Sequence, residues 1–298
     1  MTGASPDGGL TWAQLWQQTE QAVGSRPEAR WLCEHASGLD GADFLAALDE
    51  PATVRMMSHL DAMVARVRTG EPLAYAMGRW AFRHLDVMVD PRVLIPRPET
   101  EQLVDVVIEQ LGPGTSGGER LLIVDLGTGS GAIGLSLAHE LWRRQPEVWL
   151  TDTSRDALDV ARANLAGIGR AGSGVRLAHG SWFDALPGEL RGTLDVVVSN
   201  PPYVGIDDTD LDASVRDWEP AVALLSGADG LDDLRRLAAE VPHWLAPGGF
   251  VALEIGHRQG GAVADLLTRA GLVDVDVRPD LAGRPRIALG RQPKRAAI

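Results

Sequence analysis

The stretch "LLIVDLGTGSGAIGLSLA", Leu121 to Ala138, decides the fold. It reads as a buried strand, a glycine loop and a helix. Gly127, Gly129 and Gly131 permit positive φ and let a ligand come close to the backbone. The helix that follows points its N-terminus at whatever occupies the loop. By its letters the run also satisfies G-x-G-x-x-A through Gly127, Gly129 and Ala132. An acid stands at the end of the next strand, Asp152 in "VWLTDTS", where a carboxylate can accept from ribose hydroxyls. Trp182, in "HGSWF", follows the third strand, where a flat ring can lie beside adenine. These features indicate an adenosine-type ligand. A nicotinamide cofactor and S-adenosylmethionine both fit.

Outward from the loop, apolar β runs alternate with helical segments. Strands are expected over 121–126, 147–152, 174–179, 193–199, 249–255, 272–278 and 285–290. Helical patterns such as "GAIGLSLAHELWR" and "SRDALDVARANLAGI" lie between the first five. That alternation predicts an α/β fold, a mostly parallel sheet with helices on both faces. Before it, "GPGTSGGER" reads as a flexible loop, and "EQLVDVVIEQL" as a helix that Thr100 can cap. Further upstream "IPRPE" is an extended crossing, and Phe82, Leu85, Val87 and Val89 suggest a strand or hairpin.

Residues from about 10 to 70 read as helices. Trp12, Leu15, Trp16 and Thr19 share a face behind an N-cap at Thr11. Met56, Leu60, Met63 and Val67 continue the pattern to a C-cap at Gly70. The Met and Trp residues on these faces read as core.

The totals bound the function. The chain has 298 residues, 45% hydrophobic and 23% charged, a globular composition. It has no apolar run of about 18 residues, and "MTGASPDGGLTW" lacks the basic flank and apolar core of a secretory signal. Cys33 is the single cysteine, so neither an internal disulfide nor a cysteine metal site is available. A cytoplasmic location fits, with no membrane partner. The formal net charge of −13 argues against a protein that holds naked nucleic acid.

The stretch "VVVSNPPYVG", Val196 to Gly205, then selects the chemistry. The fourth strand runs directly into Asn200, on the ligand-binding rim of an open α/β sheet. Two prolines end it, because neither can donate to a ladder. The Asn200 side-chain oxygen is an acceptor. Pro201 can only accept through its carbonyl, and Pro202 holds it extended, which fixes the direction of that carbonyl. Two adjacent acceptors suit a planar –NH2, and Tyr203 offers a flat face to pack on it. An amide nitrogen that attacks an electrophilic methyl loses planarity and gains positive charge. Acceptors on both its hydrogens stabilise that charge and hold the nitrogen in line. No metal is needed. Hydride transfer has no use for two acceptors here, which demotes a dehydrogenase.

Longer runs carry a family resemblance: "GEPLAYAMG" (70–78), "VLIPRPETE" (93–101), "DLGTGSGAI" (125–133), "DALDVARAN" (156–164), "WEPAVALLSGADGLD" (218–232) and "LAPGGFVALEIGHRQ" (245–259). Together with Asn-Pro-Pro-Tyr, they make the chain resemble the bacterial release factor glutamine methyltransferases over most of residues 70 to 290. Those enzymes methylate the side-chain nitrogen of the Gln in the Gly-Gly-Gln motif of class I peptide chain release factors. The resemblance implies a small N-terminal helical substrate-recognition domain (1–78), a β-hairpin linker (79–98) and a seven-stranded Rossmann-like catalytic domain (99–298) whose last strand is antiparallel. It implies S-adenosyl-L-methionine as cofactor and S-adenosyl-L-homocysteine as product. Cofactor contacts fall on Gly127, Thr128, Gly129, Ser130, Gly131, Asp152, Trp182 and Asn200. Substrate contacts fall on Asn200, Pro201, Pro202 and Tyr203. Two positions depart from the family pattern: Ala74 where Gln is frequent, and Ser181 where an acid often precedes the Trp. Methyltransferases acting on ribosomal-protein glutamine, adenine N6 or guanine N2 use a similar tetrad, so those targets stay open as alternatives.

Overall fold

The computed structural model describes residues 9–113, 120–206 and 212–294. The loop expected over 112–120, the N-terminal stretch and the C-terminal "RQPKRAAI" lie partly outside these residues. The chain divides into two compact units, Met1–Arg79 and Trp80–Ile298.

The first unit is helical: α1 Trp12–Val23, α2 Arg26–Ser37, α3 Gly41–Ala46, α4 Val54–Arg68 and α5 Leu73–Met77. Thr11 caps α1 in a reciprocal box with Gln14, so two otherwise orphaned N–H groups are satisfied. Helix α4 ends at Arg68 with Thr69 as its C-cap, one residue before the expected cap at Gly70, which follows with φ +90. The apolar faces meet around Trp12, Leu15, Leu32, Phe44, Leu60 and Met63. Cys33 is buried in the same core, and burial pushes its thiol up to about 11.

The second unit opens with the hairpin β1 Arg79–Phe82 and β2 Leu85–Met88, whose first residue closes the helical unit. Helix α6, Pro98–Leu111, follows. Its start corrects the reading of Thr100 as a cap. Arg97 is the N-cap and Pro98 the first helical residue, a place that suits proline because that N–H has no partner in any helix. Thr100 therefore lies inside the first turn, buried, with its hydroxyl free for another use.

The main sheet has seven strands: β3 Leu122–Leu126, β4 Glu147–Asp152, β5 Val175–His179, β6 Leu194–Ser199, β7 Leu245–Glu254, β8 Val273–Pro279 and β9 Pro285–Arg291. Their order is β5-β4-β3-β6-β7-β9-β8. The first five run parallel, and β9 is antiparallel to both β7 and β8. Strand β7 begins four residues earlier than expected. Leu245 pairs with Leu194, and "APGG" forms an irregularity before Phe250 pairs with Val196. All five residues of β3 are buried, as a central strand covered on both faces must be. The covering helices are α6, α7 Ala132–Glu140, α8 Arg155–Gly167, α10 Asp232–Glu240 and α11 Gly260–Arg269, while the short α9 Ala213–Trp218 lies between β6 and α10 in the chain. Every residue of α7 from Ala132 to Ala138 is buried, so this helix is apolar all round.

Candidate active site

Register brings the site together. The chain leaves β3 toward β4 on one side and later returns to β6 on the other, which opens a crevice at the carboxyl ends. Leu126 pairs with Thr151 of β4 and with Ser199 of β6. The next residues, Gly127, Asp152 and Asn200, therefore share one row on the rim. Asp152 pairs in turn with His179, just before Gly180 to Trp182.

A cavity of about 290 Å³ opens on this row. Gly127, Thr128, Gly129 and Ser130 line it together with Asp152, Trp182, Asn200 and Pro202. Gly131, Pro201 and Tyr203 do not.

The glycine loop is held in shape from below. Gly127, Gly129 and Gly131 have φ of +69, +55 and +85, where L side chains are strained. A β-carbon on Gly127 would sit 3.2 Å from the Trp182 ring, and one on Gly131 would sit 2.9 Å from Leu135 Cδ1. Asp125, fully buried at the end of β3, accepts from Thr128 Oγ1 at 2.6 Å and from the Gly134 N–H at 2.9 Å. Burial pushes its carboxyl up to about 6, against the pull of those two bonds. Its Oδ1 has no partner among the described residues.

Asp152 accepts from the N–H of Gly129 at 2.9 Å through Oδ2 and from that of Ser154 at 2.8 Å through Oδ1. Burial raises its pKa, and these backbone bonds oppose the rise. The acid thus faces the cavity and fixes the loop at once. Trp182 has a left-handed backbone, φ +50, and its indole N–H donates to Asp233 at 3.1 Å. Ser181 accepts from Arg236 Nη1 at 2.8 Å, so a guanidinium stands at this edge of the cavity.

Open glycine-loop backbone, an acid one strand over and a ring beside the loop make a cradle that fits an adenosine-type cofactor. Among the described residues, no group of three or more His, Cys, Asp and Glu side chains is placed to hold a metal ion.

Asn200 and Tyr203 both lead to one carboxylate. Asn200 Nδ2 faces Thr100 Oγ1 at 3.4 Å, and Thr100 Oγ1 donates to Glu254 Oε2 at 2.7 Å. The Tyr203 hydroxyl faces Glu254 Oε1 at 3.3 Å. Burial raises the pKa of Tyr203, and the Glu254 charge adds to the rise, so the phenol stays protonated. The Tyr203 carbonyl accepts from Gln259 Nε2 at 2.9 Å. A β-carbon on Gly230 would run into that carbonyl. Pro201 is buried, and no described residue donates to its carbonyl or to Asn200 Oδ1.

Reasoning from sequence alone missed Thr100, read as a cap, and Glu254. An acid inside the apolar run "FVALEI" was the available signal for Glu254, since an unpaired charge does not belong in a central strand.

Two family models match the chain: "PrmC N-terminal domain" over residues 12–78 and "Methyltransferase small domain" over residues 105–227. The release factor glutamine methyltransferase of Xylella fastidiosa (strain Temecula1) is 43% identical over 268 residues, which is 90% of this chain and 94% of that protein. The chain belongs to the release factor glutamine methyltransferase family. The Neisseria gonorrhoeae member is 40% identical over 90% of this chain and 93% of its own. A methyltransferase structure from Pyrococcus furiosus, 20% identical with a TM-score of 0.50, covers 77% of this chain and 97% of its own, a likeness of fold. The protein is a methyltransferase with a seven-stranded, mostly parallel α/β domain, and the dehydrogenase alternative falls away. No described helix is long and apolar enough to cross a membrane.

Proposed function

We propose that the protein transfers a methyl group from S-adenosyl-L-methionine to the side-chain amide nitrogen of the Gln in the Gly-Gly-Gln motif of class I peptide chain release factors. The observation that carries this reading is a pair of adjoining acceptors to which no described residue donates, Asn200 Oδ1, from a residue on the cavity wall, and the carbonyl of the next residue, Pro201. Family membership selects glutamine over a nucleobase, and the net charge of −13 agrees with that choice.

When bound, the cofactor supplies an electrophilic methyl on a sulfonium. The chain's own residues do the rest. Gly127 to Ser130 would receive the cofactor against open backbone, and Asp152 would accept from its ribose. Trp182, on the cavity wall, would lie beside the adenine. Asn200 and Pro201 take the two hydrogens of the glutamine –NH2. The amide nitrogen is thereby held in line while it gains positive charge, the stage at which an acceptor contributes most. Pro202 keeps the Pro201 carbonyl directed, and Tyr203 supports the loop from behind.

In the same reading, the helical residues 1–78 grip the release factor, the hairpin at 79–98 links, and residues 99–298 catalyse. That partner implies action in the cytoplasm. The test is a mass measurement on purified release factor incubated with the protein and S-adenosyl-L-methionine. We expect one added methyl, mapped to the Gln of the Gly-Gly-Gln peptide. An unmodified Gln, or a methyl mapped elsewhere, overturns the proposal.

A further inference from the structure

The first and last residues of Asn200–Tyr203 converge on a single buried carboxylate that the transfer itself does not use. Glu254 is 1% exposed and Thr100 3%. They come from β7 and α6, 154 positions apart, and meet at 2.7 Å behind the acceptor loop. We propose that Glu254, acting through Thr100, is the positioning residue that sets which end of the Asn200 amide faces the substrate.

Hydrogen-bond polarity assigns this role, on the reading that Asn200 accepts from a substrate –NH2. An asparagine amide is nearly symmetric in shape, and its two ends have opposite function. With Nδ2 toward the cavity it would present donors to donors, and the grip would be lost. A threonine hydroxyl owns one hydrogen. Thr100 gives that hydrogen to Glu254, so its oxygen can then only accept. The only donor Asn200 can offer is Nδ2, which stands 3.4 Å away. Oδ1 is thereby left for the cavity. Without the carboxylate, the hydroxyl hydrogen is free to turn toward Asn200, and the opposite amide orientation becomes as good.

The second arm of Glu254 holds the other end of the loop through the Tyr203 hydroxyl at 3.3 Å. Burial raises the pKa of Glu254, and the hydroxyls of Thr100 and Tyr203 and the charge of Arg286 oppose that rise, while each carboxylate oxygen faces a hydroxyl donor. Arg286 is itself anchored by the Ile255 carbonyl at 3.4 Å and Asp280 at 3.4 Å. The device is thus a relay of fixed polarity, from carboxylate to hydroxyl to amide.

A double-mutant cycle on the full chain tests it, with S-adenosyl-L-methionine and purified release factor as reactants and single-turnover methylation as the readout. Thr100→Val keeps the shape and removes the relay. It should lower the rate at saturating substrate at least tenfold, with cofactor affinity within threefold of wild type. Thr100→Ser, which keeps the hydroxyl, should stay within threefold. Glu254→Leu, which also releases Tyr203, should cost at least as much as Thr100→Val, and the two together should cost no more than Glu254→Leu alone. In an Asn200→Ala background, Thr100→Val should cost nothing further, because Thr100 acts through Asn200. A merely structural Thr100 would keep its full cost there. Three results overturn the inference: an undiminished rate in Thr100→Val, a Thr100→Ser as slow as Thr100→Val, or losses that multiply with Asn200→Ala. An undiminished rate in Asn200→Ala alone would instead overturn the two-acceptor reading beneath it.

Discussion

At the residue scale, the informative positions are those where chemistry and burial conflict. Asp125 is fully enclosed, yet its carboxyl is the anchor for Thr128 and Gly134. Burial raises its pKa to about 6. A raised acid is easier to keep protonated in the fold than in the unfolded chain. Its contribution to stability is therefore full below about pH 4 and is lost as pH rises through about 6. Asp125→Asn keeps an acceptor for both donors and never ionises. The stability of this variant relative to wild type should increase between pH 4 and 7, by up to roughly 3 kcal/mol. Denaturant titrations at the two pH values measure this, and a difference that does not change with pH contradicts it. Asp152 and Asn200 were legible as site candidates because one ends a recognisable strand and the other directly follows one. The Thr100–Glu254 bond was not. Its partners are far apart in sequence, and only the path of the sheet brings α6 against the end of β7.

At the scale of elements, the strand–loop–helix of residues 121–138 was readable because each part carries its own local signal. An apolar run, glycines in alternation and a helical period need no tertiary knowledge. Element ends were less readable where local preference met a neighbour. Proline at the start of α6 displaced Thr100 from the cap, and the pairing of Leu245 with Leu194 extended β7 back across "APGG". The glycines of the loop also differ from one another. At Gly129 an added methyl meets nothing within 4 Å, while at Gly131 it meets Leu135 at 2.9 Å. Gly129→Ala should therefore cost only the left-handed backbone, about 1 kcal/mol, and Gly131→Ala clearly more, roughly 2–3 kcal/mol. Chemical denaturation of the two variants checks the order, and equal losses would show that backbone strain alone governs the loop.

At the scale of the whole molecule, the order of strands turns local motifs into one site. β3 is the middle of the parallel set, and its two neighbours deliver Asp152 and Asn200 to either side of Gly127. Fold class and strand count followed from the alternating pattern, because a parallel sheet requires a crossover between strands. The choice of target could not follow from the tetrad, since any –NH2 satisfies two acceptors; family membership and the −13 charge supply it. In this mechanism Asn200 accepts from the amide being methylated and does not serve mainly to hold the cofactor. The most direct measurement pairs two readings on Asn200→Ala: calorimetric titration with S-adenosyl-L-methionine and single-turnover methylation of the release factor. The account predicts cofactor affinity within a few-fold of wild type and a rate lower by roughly 2 kcal/mol or more, about 30-fold. An unchanged rate, or a loss of rate matched by an equal loss of cofactor affinity, would contradict it.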